Sequence, residues 1–209
     1  SFSRHLNALT KTIDWLLIIQ AGDELTPCGL LMAYVEMIKQ PDKQAVYTDK
    51  MLRSPSGSIE TELLPDFNND LLISFPWLMS NHWLFKRDLL IELNGFDELA
   101  GNFFELDFIL KLVAAQKHAF IHHLAEPLLI TAEPEDWLEE PNEQTLIQKY
   151  IVDSGYPNAQ VIQLKPRLYR ALYLHAELPL VSIIIPNLGI QLTQRCLESL
   201  LQNTGYNHY

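Results

Sequence analysis

Two acidic pairs stand at places where carboxylates take protons or hold cations rather than only face water. The first, Asp23-Glu24, follows Gln20-Ala21-Gly22 at the end of an apolar run, Trp15 to Ile19. The C-terminal end of a buried strand is where α/β folds place their ligands. The second pair lies in Phe104-Glu105-Leu106-Asp107-Phe108, at the start of a helical pattern. Residues two apart on a helix are separated by about 200°, so Glu105 and Asp107 cannot aim at one hydroxyl. Both also suit a helix's first turn, where the dipole favours acids. His122 and His123 are adjacent, point to opposite faces of a strand and cannot share one metal; they are expected to be structural or solvated. Cys28 and Cys196 lie far apart with no Cys or His at metal-ligand spacing, which argues against zinc and for two buried free thiols in a reducing, cytoplasmic compartment.

The elements that must position these residues follow from hydrophobic pattern and punctuation. Trp15 to Ile19 has no polar alternation, as expected of a central strand buried on both faces in a mainly parallel sheet. Thr26-Pro27 reads as an N-cap followed by proline at the first helical position, opening a helix through Ile38 that ends at Gln40-Pro41-Asp42. Ahead of the strand, Ser3 to Thr12 predicts a helix with Ser3 as its cap. Ala45 to Asp49 is a short buried strand, and Arg53 to Ser58 is a loop dense in turn formers. Ser80 to Arg87 reads as a strand entering a helix, with Gly95 as the left-handed end of that helix. Phe104, Phe108 and Leu112 form a helical stripe flanked by Leu110 and Val113. Phe120 to Leu124 and Leu128 to Ile130 read as two short closing strands. Glu133 to Asp136 and Glu139 to Pro141 form an acidic, proline-punctuated boundary. Beyond it come a helix from Glu143 to Asp153, a Gly155-Tyr156-Pro157 turn, and short strands at Val161 to Leu164 and Leu168 to His175. Leu180 to Ile185 starts the pattern again with a buried strand, and a helix follows from about Gln191 to Gln202.

Bulk properties narrow the function. The chain has 209 residues, 48% of them hydrophobic, enough for one good core or for one domain and part of another. A formal net charge of −11 argues against nucleic acid as a partner, since that needs cationic surface. No apolar run approaches the roughly 20 residues of a membrane span. Neither end reads as a natural domain terminus, and the sequence is expected to be a window from a longer protein.

Several segments resemble family 2 glycosyltransferases, nucleotide-sugar enzymes of the GT-A fold. Trp15 to Pro27 is similar to their strand and acidic turn, with Asp23, Glu24, Leu25 and Pro27 matching while Gln20 and Gly22 stand where the family has acids. Ser3, Asn7 and Leu9 fit its preceding helix, and Val46-Tyr47-Thr48-Asp49 fits its Val-Tyr-Ser-Asp. Pro65 to Leu72 fits Pro-Asp-Trp-x-x-Asp-Leu-Leu, with Leu64 in place of a lysine, and Leu93 to Asp97 fits Leu-Gly-Gly-Phe-Asp. Leu180 to Pro186 resembles the opening strand of another such domain. The resemblance implies a partial GT-A fold over residues 1–135, a linker over 136–178, and the first strand and helix of a second, similar domain over 179–209.

It also implies the chemistry. A sugar passes from a nucleotide-diphosphate donor to a glycan acceptor by a single inverting displacement. Glu105 stands at the position of the base, and Asp107 matches the second acid. Asp23 and Glu24 would hold Mg²⁺ or Mn²⁺ in a site weakened by Gln20, Gly22 and Thr131, the last standing where family members often carry a histidine. Asn7, Asp49 and Asn81 would contact the donor or acceptor, on the cytoplasmic side at the inner face of the membrane. Other readings stand beside these: Asn7 as a solvated helix residue, Asp49 as a turn or capping acid, and the domain as a degenerate transferase kept for binding or scaffolding beside an active one. An unrelated α/β domain is the third.

Overall fold

The structure is a computed structural model that describes residues 2–9, 13–132, 141–174, 177–186 and 189–209. Two compact units divide at Tyr173 and Leu174. The acidic boundary expected at 133–140 lies outside the described residues.

In the first unit, helix α1 (Phe2–Leu9) leads to β1 (Trp15–Leu17), β2 (Glu24–Leu25), α2 (Gly29–Lys39) and the long β3 (Ala45–Arg53). Next come β4 (Ile59–Glu62), α3 (Asn69–Ser74), α4 (Pro76–Met79), β5 (Leu84–Lys86) and α5 (Arg87–Glu92). A 3-10 turn at Glu98–Phe103 runs into α6 (Phe104–Ala114), which β6 (Ile121–Ala132) follows. Helix α7 (Pro141–Asp153) and the hairpin β7 (Gln160–Lys165) to β8 (Leu168–Leu172) complete the unit.

The six-stranded sheet has the order β1-β5-β3-β6-β2, with β4 joined to β3. It is mixed, which corrects the expectation of a mainly parallel sheet: β3 runs parallel to β6, but β1, β2, β4 and β5 all pair antiparallel. Trp15–Leu17 is also not central. Among the described residues it pairs with β5 alone, and its three residues are half-buried. The continuous apolar run has another cause, because the sheet separates two cores. Leu16 and Ile18 pack on the larger core, and Trp15 and Leu17 on the smaller, so both faces need apolar side chains. The central strand is β3, whose first six residues are buried and whose alternating Ala45 and Tyr47 face one core while Val46 faces the other.

The larger core is aromatic. Phe85 and Phe108 meet edge to face with ring centres 4.9 Å apart, and Tyr47 stacks on Trp83 at 5.0 Å. The stripe expected on α6 is present: Phe108 and Leu112 are buried and Phe104, partly buried, packs against the same core, with Leu106 and Ile109 buried beside them. Over the other face α2 contributes Ala33 and Met37.

Several local expectations shift. Helix α2 starts at Gly29 instead of Thr26-Pro27, because Thr26 is used elsewhere: its Oγ1 donates to the Pro127 carbonyl at 2.7 Å and its N–H to that of Leu128 at 3.0 Å. A Cβ on Gly29 would lie 2.8 Å from the Leu128 carbonyl oxygen, so this crossing requires glycine. Ser3 lies inside α1, where its hydroxyl donates to the Asp97 carbonyl. The end of α5 is left-handed at both Asn94 (φ 61°) and Gly95 (φ 67°), with their N–H groups closing onto the Ile91 and Leu90 carbonyls in a Schellman motif. The two expected closing strands are one strand, β6, whose register against β3 jumps between the Thr48–Leu124 and Lys50–Leu129 pairs.

In the second unit, α8 (Ile190–Asn203) occupies the expected helix. Residues 180–185 are not paired as a strand, and Leu180 and Ile184 are exposed. Instead the start of this segment and the residue before it meet the end of the chain: Val181 N–H donates to the His208 carbonyl at 3.0 Å, and the Tyr206 hydroxyl donates to the Pro179 carbonyl. Both cysteines are exposed, against the expectation of buried thiols, Cys28 in the turn before α2 and Cys196 on α8.

Candidate functional site

The acidic turn after β1 has a local logic. The Asp23 N–H closes a turn onto the Gln20 carbonyl at 3.1 Å, and Gly22 at φ 107° takes the conformation that a side chain would strain. Glycine therefore occupies an expected acid position because this turn demands it. Asp23 folds back, and its Oδ2 accepts the Gln20 N–H at 2.6 Å. The same oxygen lies 3.0 Å from His82 Nε2, with both side chains nearly buried. Glu24 starts the exposed strand β2 and pairs with Arg53 at 2.8 Å. The two acids thus point to different partners and give a divalent ion no joint seat. Among the described residues, no three of His, Cys, Asp and Glu gather at metal-binding distance. Thr131 lies within β6, its hydroxyl donating to the neighbouring Ala132 carbonyl at 3.3 Å.

Glu105 adjoins the Asp23–His82 pair through the His82 backbone. It occupies the second position of α6, is buried, and accepts the Trp83 backbone N–H at 3.4 Å, with the His82 N–H also turned to it. No cation is among the groups that shift its titration, so burial pushes its carboxyl up to about 8 despite those two N–H groups. His82, in the left-handed region at φ 64°, joins the two features: its ring reaches Asp23 while its peptide reaches Glu105. Burial lowers the His82 pKa and Lys50 lowers it further, with Asp23 opposing both. Lys50, in turn, is buried beside Glu62 at 3.0 Å and lies 4.1 Å from the centre of the Trp77 ring.

Asp107 serves another surface. Its carboxylate pairs with Lys111 at 2.7 Å and lines a hollow of about 770 Å³ between α6 and α7, along with Leu110, Lys149 and Tyr150. The expected divergence of Glu105 and Asp107 is therefore present.

The residues expected to bind donor or acceptor are engaged within the fold. Asn7 clamps the Phe96 backbone, donating from Nδ2 to its carbonyl and accepting its N–H, each at 3.0 Å. Asp49 is buried at the β3 register jump, where it accepts the Leu64 N–H at 2.8 Å and lies 2.9 Å from His123 Nε2. Asn81 Nδ2 donates to the Trp77 carbonyl at 3.2 Å, closing the end of α4. His122 and His123 do point to opposite faces, toward Glu36 and Asp49 respectively.

Sequence reasoning passed over His82, Lys50 and Glu62. A histidine in the left-handed region has no local signature in Ser80-Asn81-His82-Trp83, and a buried lysine in β3 is visible only once Glu62 pairs across the hairpin.

Fold and site together define an α/β protein with a buried acid next to an Asp–His pair. Two curated proteins are similar to it over nearly its whole length. The uncharacterized protein y4gI of Sinorhizobium fredii is 25% identical over 207 residues, covering 93% of this chain. The O-antigen biosynthesis protein RfbC of Myxococcus xanthus is 27% identical over 213 residues, covering 94%. The chain spans only 23% and 16% of those proteins' lengths, and no family model matches it. Among the described residues no helix is long and apolar enough to cross a membrane.

Proposed function

We propose that this chain is part of a glycosyltransferase of glycan biosynthesis, related to family 2 enzymes of the GT-A fold, which moves a sugar from a nucleotide-diphosphate donor to a glycan acceptor. The observation that carries the reading is Glu105: an acid held near pH 8, in the first turn of α6, beside an Asp–His pair. A base works best when its pKa lies near the working pH, and a carboxyl of ordinary acidity would be a poor match for a sugar hydroxyl. The likeness to an O-antigen biosynthesis protein supports the glycan as substrate class.

In the proposed step the acceptor hydroxyl attacks the anomeric carbon as its proton passes to the Glu105 carboxylate. The new C–O bond forms while the bond to the diphosphate breaks, and the nucleoside diphosphate leaves with that electron pair, inverting the centre. Asp23 and Glu24, as arranged, do not fit a shared Mg²⁺ or Mn²⁺, and no part of this step is assigned to one. Glu105→Gln in the full-length protein should lower turnover about 10²-fold or more with donor affinity little changed. Unaltered turnover, with any second transferase domain silenced, would leave Glu105 a structural acid.

The divergence of Asp23 and Glu24 favours a second reading, a transferase-like domain kept for binding. Calorimetry separates the two: nucleotide-sugar binding without transfer by the full-length protein supports the binding module.

A further inference from the structure

Beside Glu105 the His82 ring has one nitrogen in use and one not. Nε2 lies 3.0 Å from Asp23 Oδ2, an oxygen that already accepts the Gln20 N–H, so the ring nitrogen is the donor in this contact. In the neutral ring that leaves Nδ1 as a bare lone pair. Nδ1 is buried and has no hydrogen-bond partner among the described residues. A buried acceptor without a partner carries a penalty that proteins rarely leave unrelieved.

The arrangement is also held in place. His82 sits at φ 64°, a conformation uncommon for any residue other than glycine and concentrated at sites where geometry serves function. Its peptide N–H and that of Trp83 turn toward Glu105, fixing the backbone on one side, while Asp23 fixes the ring on the other. The charged groups around the ring are Asp23 and Lys50, and neither meets Nδ1 in a hydrogen bond. A ring whose tautomer and orientation are set by a carboxylate, with its second nitrogen buried and unpaired among the described residues, matches the way proteins prepare a histidine to meet a ligand.

We infer that His82, oriented by Asp23, is a ligand-binding residue whose Nδ1 accepts a hydrogen bond from a sugar hydroxyl seated beside Glu105. The inference rests on the transferase reading for the identity of that sugar and extends it to a residue that the reading does not use. The hydroxyl belongs to either the donor's sugar or the acceptor's.

The tautomer makes this testable apart from catalysis. In protein carrying ¹⁵N-histidine, with His82 assigned through His82→Gln, Nε2 should be protonated and Nδ1 bare. Titration with UDP-glucose, UDP-N-acetylglucosamine and dTDP-rhamnose, and separately with the free sugars, should move the Nδ1 signal into the hydrogen-bonded range for at least one probe. A shift with a nucleotide sugar alone assigns the donor's hydroxyl; a shift with a free sugar alone assigns the acceptor's. Asp23→Ala removes the oxygen that holds the Nε2 proton, which should release the ring to a mixture of tautomers, diminish that shift and weaken the active probe about tenfold. Nδ1 protonated in the wild type, or unmoved by every probe, overturns the inference. Transfer by the wild-type protein is scored separately: a shift without transfer removes the transferase reading alone, and transfer without a shift removes the role of His82 alone.

Discussion

Among the described residues of the first unit two glutamates are buried, and their surroundings differ in one respect. Glu143, in the first turn of α7, is fully buried, takes Arg167 in a forked pair at 2.8 and 3.4 Å, and accepts the Tyr169 hydroxyl at 2.9 Å. Glu105, in the first turn of α6, is nearly as buried but, among the described residues, is met only by backbone N–H groups. A buried charge that serves the fold is paired; one left without a cation holds its proton up to about pH 8 and stays able to exchange it. The difference separates a staple that joins α7 to the β7–β8 hairpin from the acid proposed above as the base.

The sharpest way to break the comparison is the pH dependence of stability. Because the Glu105 carboxyl is raised in the fold from 4.5 to about 8, folding favours its protonated form. That contribution is complete below about pH 4.5 and is lost as pH rises to about 8, up to about 5 kcal/mol as an upper bound. Glu105→Gln keeps an oxygen for the same N–H groups and removes the ionisation. Denaturant midpoints should therefore show the variant gaining on the wild type from pH 5 to pH 8.5. Parallel curves would mean that Glu105 is not held protonated.

Glu143→Gln should do the opposite, costing about 3–5 kcal/mol at neutral pH because Arg167 is left without its counter-charge. Combining it with Arg167→Met should recover part of that loss in a double-mutant cycle. An additive result would show that the pair is not coupled. At the small end, the exposed Lys149–Asp153 pair on α7, 2.7 Å apart, is the control for charge without burial: Lys149→Ala should change stability by about 0.5 kcal/mol or less.

These residues also mark what the sequence made legible. The helices at 29–39, 104–114, 141–153 and 190–203 were readable because apolar spacing is a local property, whereas the cap expected for the first of them was not. So was the opposed placement of Glu105 and Asp107, which follows from helix geometry alone. The sheet was not: Trp15 to Leu17 has the composition of a buried strand, but composition does not state direction or neighbours, and its partner Leu84 to Lys86 lies far along the chain. Glu143 reads as an ordinary first-turn acid until Arg167 and Tyr169 fold back onto it from the hairpin. Asn7 is similar, since the backbone it clamps is 89 residues away. Site features built by long-range contact leave no mark on local pattern, and the Asp23–His82 contact spans 59 residues.

The Asn7 clamp gives one peptide group an unusual role as a reporter. The Phe96 N–H belongs to no helix or strand ladder; a side chain from α1 holds it, packed so closely that a Cβ on Gly95 would lie 2.3 Å from Asn7 Oδ1. Its exchange with deuterated solvent is therefore governed by how often α1 lifts away from the α5–α6 connection, not by opening of the connection itself. A single amide, followed by mass spectrometry or NMR, reads the attachment of the N-terminal helix to the rest of the unit.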